Sequence, residues 1–338
     1  MADRGLIKTL TELWGPPGHE YRVRETIQGL VRDLADEIRV DATGNLICRM
    51  GSGGPKIMVS SHMDEIGLIV THIDKDGFAR FTSHGFLLPS TLFSARVKFA
   101  NGALGVIGME GAPWDPNRTP KLAEMFIDLS LAGDRREEVR VGDAGALWRE
   151  CTEHGDRMIA KSMDDRIGCV VAIEAMRALK GQTLPNEVYF VFSTQEEIGL
   201  RGAQPAAFSL EPDLGIALDV TSTGDTPKAD LLDVKLGGGA AIKVMDVGHI
   251  VPPAIKALFT QRAEEAGIKH QFEILTIGTT DAARIQTSRG GVPSGVISIP
   301  CRYVHTTSET VDLNDVDACV KLLTTIVTQP IVVGDLVR

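Results

Sequence analysis

Long apolar runs are missing from this chain. A membrane span needs ~20 apolar residues in succession. The best runs here, such as Gly168–Ile173 and Gly295–Ile299, stop far short. An excess of positive charge is missing too. The 35 Lys and Arg residues face 45 Asp and Glu residues, for a formal charge of −10. Such a chain is a poor default partner for nucleic acid or an anionic membrane. The five cysteines, Cys48, Cys151, Cys169, Cys301 and Cys319, are an odd number without CxxC spacing. That argues against a disulfide framework and for a reducing cytoplasm. The opening Met1-Ala-Asp-Arg-Gly-Leu has no basic-then-apolar pattern, so no secretory signal is expected. No internal repeat or low-complexity segment stands out.

The remaining composition is that of a globular protein. Apolar residues make up 43% and charged residues 24%, which excludes disorder, collagen and coiled coil. At ~150 residues per domain, 338 residues suggest about two domains. After the turn Gly15-Pro-Pro-Gly18, Val23, Ile27, Leu30, Val31 and Leu34 recur at helical spacing. Short strands are expected at 38–40 and 46–50. Four apolar runs then share a pattern. Lys56–Ser60 leads to His62, Asp64 and Glu65. Glu187–Ser193 leads to Glu196 and Glu197. Leu214–Leu218 runs into Asp219. Val296–Ile299 leads through Cys301 to His305. Each is a buried strand followed within a few residues by a possible metal ligand, and crevices of open α/β sheets lie beyond the carboxyl ends of strands.

Helices are expected between these strands, at Asp164–Leu179, Pro252–Ala266 and Asp315–Val327. The alternation argues for an α/β domain. The stretch from about Leu68 to Ala160 differs, with strand-like runs, many Gly and Pro turns and no long helix. It reads as a small β-rich domain inserted into the α/β one.

Singly, the polar residues have ordinary explanations. His62 and Asp64 suit a surface loop. Asp164 and Asp165 suit a helix N-terminus, where acidic side chains meet free N–H groups. Glu196 and Glu197 suit a solvated loop. Asp219 and His305 are uninformative alone, and Cys301 reads as a small buried hydrophobe. Together, two histidines and several carboxylates at four strand ends and one helix start match what a pair of divalent ions needs. Nitrogen and oxygen donors without thiolate suit Zn, Co or Mn.

Ser61-His-Met-Asp-Glu-Ile-Gly67, Lys161-Ser-Met-Asp-Asp-Arg166, Gln195-Glu-Glu-Ile-Gly199, Ala217-Leu-Asp-Val220 and Arg302-Tyr-Val-His305 together resemble peptidase family M42. These are the co-catalytic metal aminopeptidases that form tetrahedral particles, some of which carry an older endoglucanase label. The similarity covers nearly the whole chain, in order. It implies a mixed central sheet flanked by helices, with a discontinuous catalytic α/β domain at 1–67 and 161–338. It also implies an inserted β-rich oligomerisation domain at 68–160. One ion would be held by His62, Asp164 and Asp219, the second by Asp164, Glu197 and His305. Glu196 would be the general base and Asp64 would orient His62. A cis peptide is implied between Asp164 and Asp165.

The activity so implied is removal of the N-terminal residue from short peptides, by water activated between two divalent ions per subunit. Zinc is the first expectation, with Co or Mn as alternatives, in a cytoplasmic homo-oligomer that is a tetrahedral dodecamer. The sequence departs from the family pattern at Ile277-Gly-Thr-Thr-Asp-Ala-Ala-Arg284, where two glycines are lost and Arg284 replaces a small residue. Arg284 is therefore a candidate for pairing with an acidic substrate side chain, although a solvated surface Arg is the plainer explanation. Three rival functions are compatible with the same residues. One is a metal-dependent deacylase or carboxypeptidase of N-acylated amino acids on the same scaffold. The second is a glycoside hydrolase, which leaves the histidines without a role. The third is a non-catalytic scaffold protein.

Overall fold

A computed structural model describes residues 2–111, 119–130, 132–133, 138–229 and 232–336. A large mixed sheet dominates it. From one edge the strands are Glu37–Val40, Leu46–Met50, Glu187–Ser193, Lys56–His62, Leu214–Thr221, Ser294–Arg302, Glu309–Asp312, Arg157–Ala160 and Thr152–His154. Ala240–Met245 pairs antiparallel with Ser294–Arg302 and parallel with His270–Ile274. The four middle strands, from Glu187–Ser193 to Ser294–Arg302, run parallel. Their carboxyl ends therefore open on one edge.

The middle strands carry long apolar runs because both faces are covered. Ile57, Val59, Phe190 and Phe192 point into the larger core, and the alternate residues Met58 and Val191 into the opposite one. The helices Arg4–Glu12, Tyr21–Val31, Met163–Leu179, Pro253–Glu265 and Leu313–Val327 contribute to the larger core. Ala203–Leu210 and Ala282–Gln286 cover the other face. The expected α/β sheet flanked by helices is thus present. Met163–Leu179 is buried along most of its length, which is why its apolar residues are not confined to one stripe.

Six further strands close into a barrel in the order Gly67–Ile73, Phe78–His84, Met125–Asp128, Leu104–Met109, Arg96–Phe99 and Ala144–Trp148. The first pairs with the last, Gly67 opposite Ala146. Alternate residues point inward, as in Arg96–Phe99, where Val97 and Phe99 are buried. The barrel has its own core, including Leu68, Val70, Ile107 and Ile127. Its one described α-helix is the four-residue Pro89–Leu92. Strands Thr152–His154 and Arg157–Ala160, which follow the barrel, pair into the large sheet instead.

A buried ionic junction joins barrel entry, helix and N-terminal segment. Glu65 pairs with Lys161 and lies 3.5 Å from the Arg166 guanidinium, and all three are buried. Arg166 donates to the carbonyls of Met63, Leu10 and Leu13. Among the described residues, no helix is long and apolar enough to cross a membrane.

Candidate metal centre

The parallel strands determine where the polar side chains gather. His62 ends its strand opposite Ser193, the last residue of the neighbouring strand. Thr194–Glu197 therefore turns directly beside His62. Asp219 lies one strand further, inside Leu214–Thr221 rather than beyond it. His305 follows Ser294–Arg302 on a turn where both Tyr303 and His305 have φ +62°. Asp164 arrives from the helix side. Neither Asp164 nor Asp165 has helical φ/ψ, and the peptide between them is cis.

The Asp164 carboxylate sits between two imidazoles. His62 Nε2 is 3.0 Å from Oδ1 and His305 Nε2 is 3.2 Å from Oδ2. Asp219 Oδ1 lies 4.0 Å and Glu196 Oε2 3.9 Å from His62 Nε2. Glu197 Oε2 lies 3.3 Å from His305 Nε2. Two donor groups result, His62 with Asp164 and Asp219, and Asp164 with Glu197 and His305. Within each, the ligand atoms lie within 4.8 Å of one another.

Other carboxylates hold this group in place. Asp64 accepts the Glu196 N–H at Oδ1 and the Glu197 N–H at Oδ2, both at 3.0 Å. His62 Nδ1 is 3.1 Å from the Asp64 carbonyl oxygen and 3.5 Å from its carboxylate. Asp64 thus grips the glutamate turn with its side chain and meets the imidazole mainly with its backbone. Asp165 accepts the N–H groups of His62 and Gly168. Glu309 accepts those of Asp164 and His305. Below the site, Asp281 Oδ2 accepts from Ser60 and Ser193 while its Oδ1 has no partner. The barrel also reaches the site. A Cβ at Gly85 would lie 3.5 Å from Glu197 Cβ, and the Phe86 ring is 6.1 Å from that of His305.

The charge balance calls for a cation. Burial, reinforced by neighbouring carboxylates, pushes Asp219 and Glu196 well above the usual carboxylate range and also raises Glu197. Asp164 is the exception. Burial works to raise it, but the imidazoles of His305 and His62 outweigh burial and hold it below that range. Burial works against charge on both histidines, yet the surrounding carboxylates raise them above their ordinary value. Glu197 Oε1 is buried without a partner. Closely packed acids with nitrogen donors and an orphaned oxygen fit divalent ions, which relieve this repulsion. Cys301 is fully buried outside both groups. Arg284 is exposed on Ala282–Gln286 and also outside them.

Glu309, and the pairing of Glu65 with Lys161 and Arg166 instead of with the donor groups, are absent from the sequence-based expectations. Glu309 follows His305 by four residues, but that spacing carries no recognisable signal on a turn.

The fold and donor set define an α/β protein with a group able to hold metal ions at the strand ends. The chain matches the sequence profile of the M42 glutamyl aminopeptidases over residues 44–322. It belongs to peptidase family M42 and is a hydrolase of peptide bonds. It is 36% identical to a lysyl aminopeptidase of Pyrococcus furiosus, over 95% of this chain and 96% of that one. The structure of an aminopeptidase from Desulfurococcus kamchatkensis superimposes with a TM-score of 0.90 at 37% identity, covering 96% of this chain and 94% of that one. The Pyrococcus horikoshii TET1 peptidase, described as assembling into a tetrahedron or a large octahedral shell, matches with a TM-score of 0.85 at 32% identity. It covers 96% of this chain and 99% of its own.

Proposed function

We propose that this protein is a metal-dependent aminopeptidase that releases the N-terminal residue of short peptides. The observation that carries the reading is the Asp164 carboxylate, with one oxygen toward His62 and the other toward His305. Each oxygen faces the histidine of a different donor group, so Asp164 would be shared between two ions. His62 and Asp219 would complete one site, Glu197 and His305 the other. When bound, such an ion pair supplies Lewis acidity, making water acidic enough to ionise near neutral pH and polarising the scissile carbonyl.

Glu196 lies beside this group without belonging to either donor set. Its carboxylate would take a proton from the attacking water as the new C–O bond forms. It would return that proton to the amine nitrogen as the C–N bond breaks. Asp64, through the N–H groups of Glu196 and Glu197, would keep the base and one ligand in register. We read the large sheet with its helices as the catalytic unit, and the barrel from Gly67 to Trp148 as the inserted unit used in assembly; of the expected 68–160 insert, the strands Thr152–His154 and Arg157–Ala160 go with the sheet. A homo-oligomer is supported by the likeness to TET1, and a dodecamer is the form we propose. Zinc is the proposed ion, the cytoplasm the proposed location, and Arg284 the candidate selector of acidic substrate residues.

The test is release of N-terminal residues from acidic, basic and apolar aminoacyl substrates. Metal-free protein is compared with protein given Zn, Co or Mn. Metal-restored cleavage of free-amine substrates is expected, and faster cleavage of acidic ones would assign Arg284 its role. Cleavage of N-acetylated substrates alone would replace the reading with the deacylase one.

A further inference from the structure

We propose that Glu309 is a positioning residue that sets the second ion site by clamping two of its ligands through their backbones. The inference rests on the two-ion reading above. Glu309 Oε2 accepts the Asp164 N–H at 2.9 Å, and Oε1 accepts the His305 N–H at 2.7 Å. The residue is 1% exposed. Neither Glu309 oxygen belongs to a donor group, so the residue would act without touching an ion.

The sheet explains why one carboxylate reaches both ligands. Strand Glu309–Asp312 lies between Arg157–Ala160 and Ser294–Arg302. The first neighbour leads four residues on to Asp164, the second three residues on to His305. Glu309 itself is opposite Ala160, and the next residue, Thr310, is opposite Arg302. The two ligand-bearing segments therefore leave the sheet on either side of Glu309 and bend toward one another.

The His305 conformation needs such a tie. Its φ of +62° is in the left-handed region, which a residue with a Cβ occupies only when its surroundings hold it. Tyr303, two residues earlier, has the same φ. The N–H to Glu309 bond is made at the strained residue itself. The two N–H groups approach from opposite sides and each uses its own oxygen of the carboxylate. A glutamine of equal length has one oxygen and turns an NH₂ toward the other N–H. Glu309→Gln therefore keeps shape and volume while removing half of the clamp.

The experiment is a Co(II) and Zn(II) titration of metal-free wild type and Glu309→Gln. Ions per subunit are counted, the two stepwise affinities measured by calorimetry, and kcat and KM followed against free metal. The wild type is expected to bind two ions. In the variant one affinity should weaken by roughly 10- to 100-fold, the range for residues that hold metal ligands. The other, which shares Asp164 but not His305, should weaken clearly less, and kcat should recover at saturating metal with little change in KM. Unchanged affinities, or an equal loss of both with loss of folded structure in both Glu309→Gln and the milder Glu309→Asp, would overturn the clamp. A wild type that binds fewer than two ions would instead overturn the two-ion reading, and this inference with it.

Discussion

In the closed barrel, alternate residues along each strand turn inward and meet one another. In the large sheet, the middle strands are buried on both faces, and polar residues are displaced to their ends. Arg96–Phe99 alternates burial residue by residue, whereas every residue of Leu214–Thr221 is buried. A strand buried on both faces can present chemistry only at or near its end, as Asp219 does two residues before the end of Leu214–Thr221. Four such strands stopping on one edge concentrate donors from segments far apart in the chain. The barrel buries its core without collecting such a cluster among its described residues. It contributes a lip instead, with Gly85 against Glu197 and Phe86 near His305.

The sharpest break in this contrast is Glu196→Gln. It should lower kcat by about 10²–10⁴-fold while leaving ion content unchanged. Steady-state kinetics with elemental analysis checks both parts. Retained full activity would remove Glu196 as the base.

A barrel substitution that reaches the site should come next. At φ +100°, Gly85→Ala strains the backbone and brings a methyl group 3.1 Å from Ile66 Cγ2 and 3.5 Å from Glu197 Cβ. A fall of roughly 10- to 100-fold in kcat/KM is expected, comparable to losing a group that supports a metal ligand. Wild-type kinetics in this variant would show that the lip is passive.

Ile127→Ala tests the barrel core itself. Ile127 is fully buried in the barrel, and truncation should cost about 2–5 kcal/mol of stability. Urea unfolding should report that loss, with kcat per folded subunit preserved. A matching loss of kcat would make the two regions one cooperative machine.

The smallest effect concerns the junction. Burial pushes the Lys161 ammonium down to about 8, with Arg166 adding to the push and Glu65 opposing it. Between there and about 10.4, the ordinary lysine value, the unfolded chain binds a proton the folded chain has released. The Lys161 contribution to stability therefore rises with pH across that window and is flat below it. Urea midpoints between pH 8 and 10 should show this rise in wild type relative to Lys161→Met. Parallel curves would contradict it.

Much of the sheet was legible because doubly buried strands must be largely apolar. Lys56–His62, Glu187–Ser193, Leu214–Thr221 and Ser294–Arg302 all contain such runs. Helix Arg4–Glu12 was overlooked although Leu6, Ile7 and Leu10 are buried at helical spacing and Asp3 caps its first turn. The strand Glu309–Asp312 has four residues, too few for a period to emerge. His270–Ile274 alternates weakly because it is an edge strand, paired on one side only.

Residue order alone determined which segments are strands buried on both faces and which donor types follow them. Those properties are local, set by apolar side chains that must leave water and polar ones that cannot follow. The tertiary structure decided the rest. It closed the barrel between residues nearly eighty apart, such as Gly67 and Ala146. It placed Asp164 between His62 and His305, and it set Glu309 where two ligand-bearing segments bend toward each other. These relations depend on strand neighbours and register, which arise only when distant segments pair.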